Sequence, residues 1–192
     1  MKIAVTGASG FIGRAVLAEL SRRGIAAVAS SRSGTDAQPG AGHRAVALDL
    51  HEAAADAFER LGRPETVIHL AWGGLPNYRS LQHVEKELPA QYRFLGSLIE
   101  GGTQSLVVAG TCFEYGMQSG PLGEDLPTRP ENPYGFAKDA LRRELEFLKT
   151  EKPFALTWAR LFYLHGEGQA ETSLLPQLRR AVAALSYCFC WA

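Results

Sequence analysis

The stretch "KIAVTGASGFIGRAVLAELSRRG", residues 2–24, places Gly7, Gly10 and Gly13 between an apolar run and a segment whose apolar residues recur at helical spacing. Glycines at such a turn let the backbone come close to a pyrophosphate. The N-terminus of the following helix then offers free N–H groups and the positive end of its dipole. Because the glycines lie between a strand and a helix, the position predicts a dinucleotide site. The alternative is a strand–helix connection that is tight for structural reasons alone.

The rest of the chain repeats the alternation of strand-like and helix-like segments. Further strands are predicted at residues 25–31, 44–50, 66–72, 105–110 and 154–162. Helices are predicted near residues 52–62, 78–100, 134–150 and 173–185. Most strand candidates are continuous apolar runs, as expected for strands buried on both faces. The pattern predicts an α/β fold, a Rossmann-like doubly wound parallel sheet with helices on both faces.

Composition excludes several classes of partner. The chain has 192 residues, 46% of them hydrophobic, and its twenty basic residues balance twenty acidic ones. This balance gives no electrostatic reason to expect binding to nucleic acid or to an anionic membrane. The N-terminus lacks the pattern of a signal peptide, and no apolar run approaches about 18 residues, so we expect a cytoplasmic protein. Cys112, Cys188 and Cys190 and the scattered histidines show no ligand spacing, so we expect no metal.

The end of the second predicted strand bears on the choice of dinucleotide. An acidic residue there would bind the ribose 2′-hydroxyl of NAD, but the sequence reads "ASSRSG" (29–34), with no acid before Asp36. The guanidinium of Arg32 suits a 2′-phosphate, because it can bind phosphate with two hydrogen bonds. We therefore expect NADP to be slightly favoured over NAD. The alternative is that Arg32 is a solvated loop residue.

Several motifs together resemble a known family. They are "TGASGFIG" (6–13), "LDL" (48–50), "IHLAW" (68–72), "GTCFEYG" (110–116), "NPYGFAK" (132–138) and "RLFYLHGEGQ" (160–169). The chain resembles the extended short-chain dehydrogenase/reductase family of the NAD-dependent epimerase/dehydratase type, whose members modify nucleotide sugars. The resemblance implies a catalytic set of Thr111, Tyr134 and Lys138. The cofactor-binding residues it implies, together with those predicted above, are Gly7, Gly10, Phe11, Ile12, Gly13, Arg32, Asp49, Leu50, Leu70, Ala71, Tyr134 and Lys138.

The chemistry of the implied catalytic set is consistent with this role. Oxidation or reduction at a carbinol carbon needs a group that takes or gives the hydroxyl proton. Tyr134 and Lys138 are four residues apart, so on a helix they share one face. We expect the ammonium of Lys138 to lower the pKa of Tyr134. The hydroxyl of Thr111, after a predicted strand, could orient the substrate. The alternative is a surface pair without function.

One departure from the family pattern narrows the reaction. In sugar-nucleotide dehydratases of the family the catalytic Thr is followed by Asp-Glu, whereas Cys112 and Phe113 stand here and Glu114 is displaced by one. Dehydration is therefore disfavoured, and we expect a 4-keto reductase or C4-epimerase acting on a nucleotide sugar such as a dTDP-deoxysugar. The alternatives are a reductase of a non-sugar carbonyl, and a cofactor-binding fragment or regulator with impaired catalysis.

The end of the chain and its oligomeric state carry two further expectations. Family members continue into a smaller substrate domain, whereas this sequence ends "ALSYCFCWA". We expect residues 1–184 to form a dinucleotide-binding domain, and residues 185–192 to be an atypical tail of a truncated or frame-shifted product. The alternative is a genuine apolar tail. Leu141, Leu145 and Leu148 lie at helical spacing, and such leucines are more often core than interface. A homodimer is consistent with the resemblance.

Overall fold

The architecture is a six-stranded parallel sheet with the strand order β3-β2-β1-β4-β5-β6. A computed structural model describes residues 1–34, 42–52 and 56–188, and for residues 185–188 it describes the backbone alone. The strands are β1 Ile3–Thr6, β2 Ala27–Ser31, β3 Arg44–Ala47, β4 Thr66–His69, β5 Ser105–Thr111 and β6 Ala155–Leu161. The order reverses between β1 and β4, where ligands bind in open α/β sheets. The predicted doubly wound fold is confirmed.

The helices follow the predicted segments with two differences. They are α1 Phe11–Arg22, α2 Ala57–Arg60, α3 Leu88–Gly101, α4 Pro133–Glu151 and α5 Leu174–Cys188. The segment predicted at 78–100 is helical only from residue 83, and a π-helical turn, His83–Glu87, precedes α3. The segment predicted at 52–62 contains the single turn of α2, and residues 53–55 lie outside the described part.

Two apolar cores cover the two faces of the sheet. On one face Leu17 and Leu20 of α1 pack with Val5 of β1. On the other face α3 and α4 bury Phe94, Leu95, Leu98, Leu141 and Leu145. Because Leu141 and Leu145 are fully buried within their own chain, they belong to the core, whereas Leu148 is partly buried.

The described chain divides into two compact units, 1–162 and 163–192. The first contains the whole sheet and helices α1 to α4, and the second contains α5. The predicted atypical tail begins within α5, and its residues 189–192 lie outside the described part, as do residues 35–41 with Asp36. Among the described residues, no helix is both long and apolar enough to cross a membrane.

Candidate active site

The glycine turn after β1 has the geometry of a phosphate-binding turn. Gly7 adopts φ +67°, and a Cβ on it would lie 2.8 Å from the backbone nitrogen of Ala71 after β4. A Cβ on Gly13 would collide with the carbonyl oxygen of Gly7, so both positions need glycine. Helix α1 begins with Gly10 as its N-cap, and no side chain caps it. Its first N–H groups are therefore available to an anion.

The remaining predicted cofactor residues follow the same edge of the sheet. Asp49 and Leu50 follow β3, Leu70 and Ala71 follow β4, and Phe11 and Ile12 form the first turn of α1. All six are half-buried. These residues thus lie at the carboxyl ends of the parallel strands, where open α/β sheets bind their ligands.

The surroundings of Arg32 weigh against a 2′-phosphate. Arg32 is exposed and lies with Asp49, Glu52, Asp56 and Arg60 around a surface cavity of about 660 Å³. Three carboxylates against two guanidiniums leave this cavity with a net negative formal charge. Such a cavity suits a ribose hydroxyl better than a phosphate dianion.

Thr111 and Tyr134 meet at the carboxyl end of β5. Thr111 is the last residue of β5 and caps the 3₁₀ turn Cys112–Tyr115, where its side-chain oxygen accepts the N–H of Phe113 at 3.3 Å. The side chain of Asn132 caps α4 by accepting the N–H of Gly135 at 2.8 Å, which places Tyr134 in the first turn. Both hydroxyl-bearing residues are buried, and the side chain of Thr111 acts to lower the pKa of Tyr134, against the larger effect of burial.

Lys138 lies one turn further along α4 and is almost completely buried. Its Nζ donates to the carbonyl oxygen of Ala109 at 2.8 Å and lies 4.0 Å from the ring centroid of Trp72. Burial lowers the pKa of Lys138 to about 7, an effect that the charges of Glu114 and Glu87 oppose. The lysine therefore titrates near neutrality, in the range where proton exchange is useful.

The pKa of Tyr134 is shifted in the direction opposite to the one expected from a neighbouring ammonium. Burial raises the pKa of Tyr134 to about 12, and the side chain of Thr111 only partly offsets this. The ammonium of Lys138 is directed to the carbonyl of Ala109 and the face of Trp72. The expected lowering of the Tyr134 pKa is therefore wrong, because burial outweighs it.

Glu114 is unavailable as a catalytic acid, as its displacement by one position predicts. It is fully buried and accepts hydrogen bonds from Arg160 Nε at 2.7 Å, from Trp158 Nε1 at 3.0 Å and from the backbone N–H of Thr111 at 2.8 Å. Its carboxylate thus faces β6 and fixes the position of Thr111. The position after Thr111 is occupied by Cys112, whose thiol pKa is raised by burial.

Aromatic side chains that the sequence did not single out enclose Tyr134. The ring centroid of Tyr134 lies 5.3 Å from that of His83, 5.5 Å from that of Tyr78 and 5.9 Å from that of Trp72. Tyr78 and Phe113, whose ring centroids are 4.9 Å apart, also line an open cavity of about 460 Å³ that Asn132, the N-cap of α4, borders. Only the tertiary fold brings these residues together, so no spacing in the sequence reveals them. No described group of His, Cys, Asp and Glu side chains could hold a metal ion.

Fold and site together define a dinucleotide-binding Rossmann domain with a Thr-Tyr-Lys set. A family model described as the NAD dependent epimerase/dehydratase family matches residues 3–191, and the chain belongs to this family. Over 186 residues it is 32% identical to the dTDP-6-deoxy-L-talose 4-dehydrogenase (NAD(+)) of Aggregatibacter actinomycetemcomitans, covering 94% of this chain and 68% of the relative. It is 29% identical to the dTDP-4-dehydro-6-deoxyglucose reductase of Escherichia coli, covering 87% of this chain and 57% of the relative.

Solved structures show the same fold with NAD bound. MoeE5 in complex with UDP-glucuronic acid and NAD superimposes with a TM-score of 0.79 at 29% identity, covering 94% of this chain and 61% of MoeE5. The MoeE5 complex with UDP-glucose and NAD gives 0.78 at 30% identity. The chain thus spans between 57% and 68% of the length of the two curated relatives named above.

Proposed function

We propose that this chain carries the cofactor site and the proton-transfer residues of a nucleotide-sugar oxidoreductase acting at sugar C4, as a 4-dehydrogenase, a 4-keto reductase or a C4-epimerase. The observation that carries the proposal is the burial of Thr111 and Tyr134 at the carboxyl end of β5, with the buried Lys138 one helical turn further along α4. A dTDP-deoxysugar is the preferred substrate class. The two curated relatives named above act, by their names, on dTDP-6-deoxy sugars at position 4.

Each residue of the set has a distinct task. A bound nicotinamide dinucleotide supplies the hydride acceptor or donor. In reduction the phenol of Tyr134 gives its proton to the ketone oxygen, and in oxidation its phenolate takes the proton of the sugar hydroxyl. Thr111 holds that oxygen in place through its hydroxyl. Lys138, with a pKa of about 7 that reflects burial, is the group able to exchange a proton near neutral pH.

The cofactor in this proposal is NAD rather than the NADP expected from Arg32. Three carboxylates share the cavity of Arg32, and the solved MoeE5 complexes contain NAD. Calorimetric titration of the purified chain with NADH and separately with NADPH tests the choice. We expect tighter binding of NADH, and a small change for Arg32→Ala. Tighter NADPH binding that Arg32→Ala abolishes would restore the NADP assignment.

Activity is tested by following NADH production with dTDP-6-deoxyhexoses and NADH consumption with their 4-keto forms. Removal of the phenol hydroxyl in Tyr134→Phe should lower the rate by about 10²–10⁴-fold, while NADH affinity stays unchanged. Tyr92→Phe is the matched control, because Tyr92 is a half-buried residue of α3 that packs against the apolar core. Equal rates for the Tyr134→Phe and Tyr92→Phe variants would contradict the assignment of Tyr134.

Two alternatives predict different results in the same assays. A cofactor-binding module without turnover would bind NADH but convert none of the sugars. A reductase of non-sugar carbonyls would consume NADH with simple ketones and leave nucleotide sugars untouched.

Since Leu141 and Leu145 are core, a homodimer through α4 would use Phe136 and Phe147, which are exposed. Light scattering of Phe147→Asp tests that contact.

A further inference from the structure

Glu87, at the end of the π-helical turn before α3, is a buried carboxylate that joins three segments of the chain. Its Oε2 accepts the backbone N–H of Gly73 at 3.1 Å and the side-chain amide of Gln91 at 3.1 Å. Its Oε1 lies 3.1 Å from Nε2 of His51. Removing any of these donors costs free energy, because the buried negative charge of Glu87 then loses a hydrogen bond that compensates it.

The contact with Gly73 connects Glu87 to Trp72, whose ring face lies against the ammonium of Lys138. Gly73 directly follows Trp72, and Nζ of Lys138 lies 4.0 Å from the ring centroid of that tryptophan. Glu87 therefore fixes the turn that carries the Trp72 ring. The negative charge of Glu87 also acts on Lys138 directly.

The His51 contact extends the same network toward the surface cavity that Arg32 and Asp49 line. In the proposed NAD site this is the adenosine cavity. The backbone N–H of His51 donates to Oδ1 of Asp49 at 2.9 Å, and Asp49 lines the cavity beside Arg32. Asp49, His51 and Glu87 thus form one connected path from the adenosine cavity to the turn below Lys138. The imidazole of His51 is part-exposed, whereas Glu87 is buried.

We propose that Glu87 is a positioning residue for Lys138, holding the Trp72–Gly73 turn and supplying negative charge to the lysine, and that its pairing with His51 links this role to the adenosine cavity. The catalytic consequence rests on the proposed oxidoreductase function. The electrostatic role of Glu87 does not, because it concerns only the charge of Lys138 in the chain itself.

Two other titratable groups act on the charge of Lys138, and both are unchanged in a variant of Glu87. Glu114 faces it from the 3₁₀ turn, but a bond of 2.7 Å to Arg160 largely balances that charge. His69 faces it from β4, and it is a neutral hydrogen-bond partner of Gln91 at 2.7 Å and Thr6 at 2.9 Å. Glu87 is thus a second carboxylate that acts on Lys138, and its ion-pair partner is the imidazole of His51 rather than a guanidinium.

The test is a pH titration of the Lys138 side chain by NMR in the ligand-free chain labelled with ¹³C-lysine. The other lysines are Lys2, Lys86, Lys149 and Lys152, so the spectrum is simple to assign. In Glu87→Gln the midpoint of Lys138 should fall by about one pH unit, since an opposite charge nearby favours the charged form. Glu85→Gln, on the same turn but exposed, is the matched control and should leave it unchanged.

Two outcomes would overturn the proposal. The first is a Lys138 midpoint in Glu87→Gln equal to those of the wild type and of Glu85→Gln. If Glu87→Gln does not fold, Glu87→Asp decides, because it keeps the buried negative charge but draws the carboxylate away from the N–H of Gly73. The midpoint of Lys138 should then fall by a few tenths of a pH unit, and an unchanged midpoint is the second refuting result. Because no substrate is used, this failure is distinguishable from failure of the Tyr134→Phe assay.

Discussion

Replacing Arg160 by methionine should lower the free energy of unfolding by about 3 kcal/mol, because it leaves a buried carboxylate without its cation. Glu114 is fully buried, and Arg160 Nε donates to it at 2.7 Å. Removing one partner of a buried ion pair typically costs about 3–5 kcal/mol. The indole of Trp158 and the N–H of Thr111 still donate to Glu114, so we expect the lower end of this range.

Urea unfolding followed by circular dichroism measures the loss, with the slope of the transition checked for two-state behaviour. Lys152→Met is the matched control, since Lys152 pairs with Glu100 at 2.8 Å while both side chains are substantially exposed. Its loss should stay below about 1 kcal/mol. Equal losses for Arg160→Met and Lys152→Met would refute the reasoning that burial sets the value. The double variant Arg160→Met with Glu114→Gln should recover part of the loss, because it leaves no buried charge.

Three further predictions concern the cofactor turn, the response to pH and the core. Gly7→Ala should abolish measurable NADH binding in calorimetry and cost about 1–3 kcal/mol of stability, because Gly7 has φ +67° and touches Ala71. Burial lowers the pKa of His69 to about 3, so the unfolded chain binds the extra proton below pH 6.5. Stability should therefore fall by about 2 kcal/mol between pH 6.5 and pH 5, and His69→Gln should flatten that dependence in urea unfolding. Leu141→Ala should cost about 3 kcal/mol, and the part-buried Leu148 less, in the same measurement.

The sheet was predictable from the sequence because its strands are short apolar runs bounded by turn residues. The glycines at 7, 10 and 13 fix the first β–α connection, and the remaining alternation leaves little choice of topology. The start of the helix predicted at residue 78 was not predictable, because the chain before it is held by tertiary contacts such as the bond from Tyr134 N to Tyr78 O at 3.2 Å.

Local spacing predicts that Tyr134 and Lys138 share a helix face, but the electrostatics of the two residues depend on distant parts of the chain. The i, i+4 relation of Tyr134 and Lys138 follows from the sequence alone. The pKa of each depends on burial, and the ammonium contacts Trp72, which follows β4, and Ala109, which lies within β5. Glu87 shows the same limit, since its partners His51 and Gly73 lie 36 and 14 residues away.

The contact between Lys138 and Trp72 gives the protein an optical indicator of its own chemistry. The ammonium of Lys138 lies 4.0 Å from the centroid of the Trp72 ring and makes a cation–π interaction with it. This interaction is lost when the amine loses its proton. The emission of Trp72 should therefore change as Lys138 titrates. The chain has two other tryptophans, Trp158 and Trp191, and replacing both by phenylalanine leaves Trp72 as the only indole. The protonation of Lys138 could then be followed by fluorescence on the timescale of ligand binding. The side chain that supports the lysine would then also report its charge.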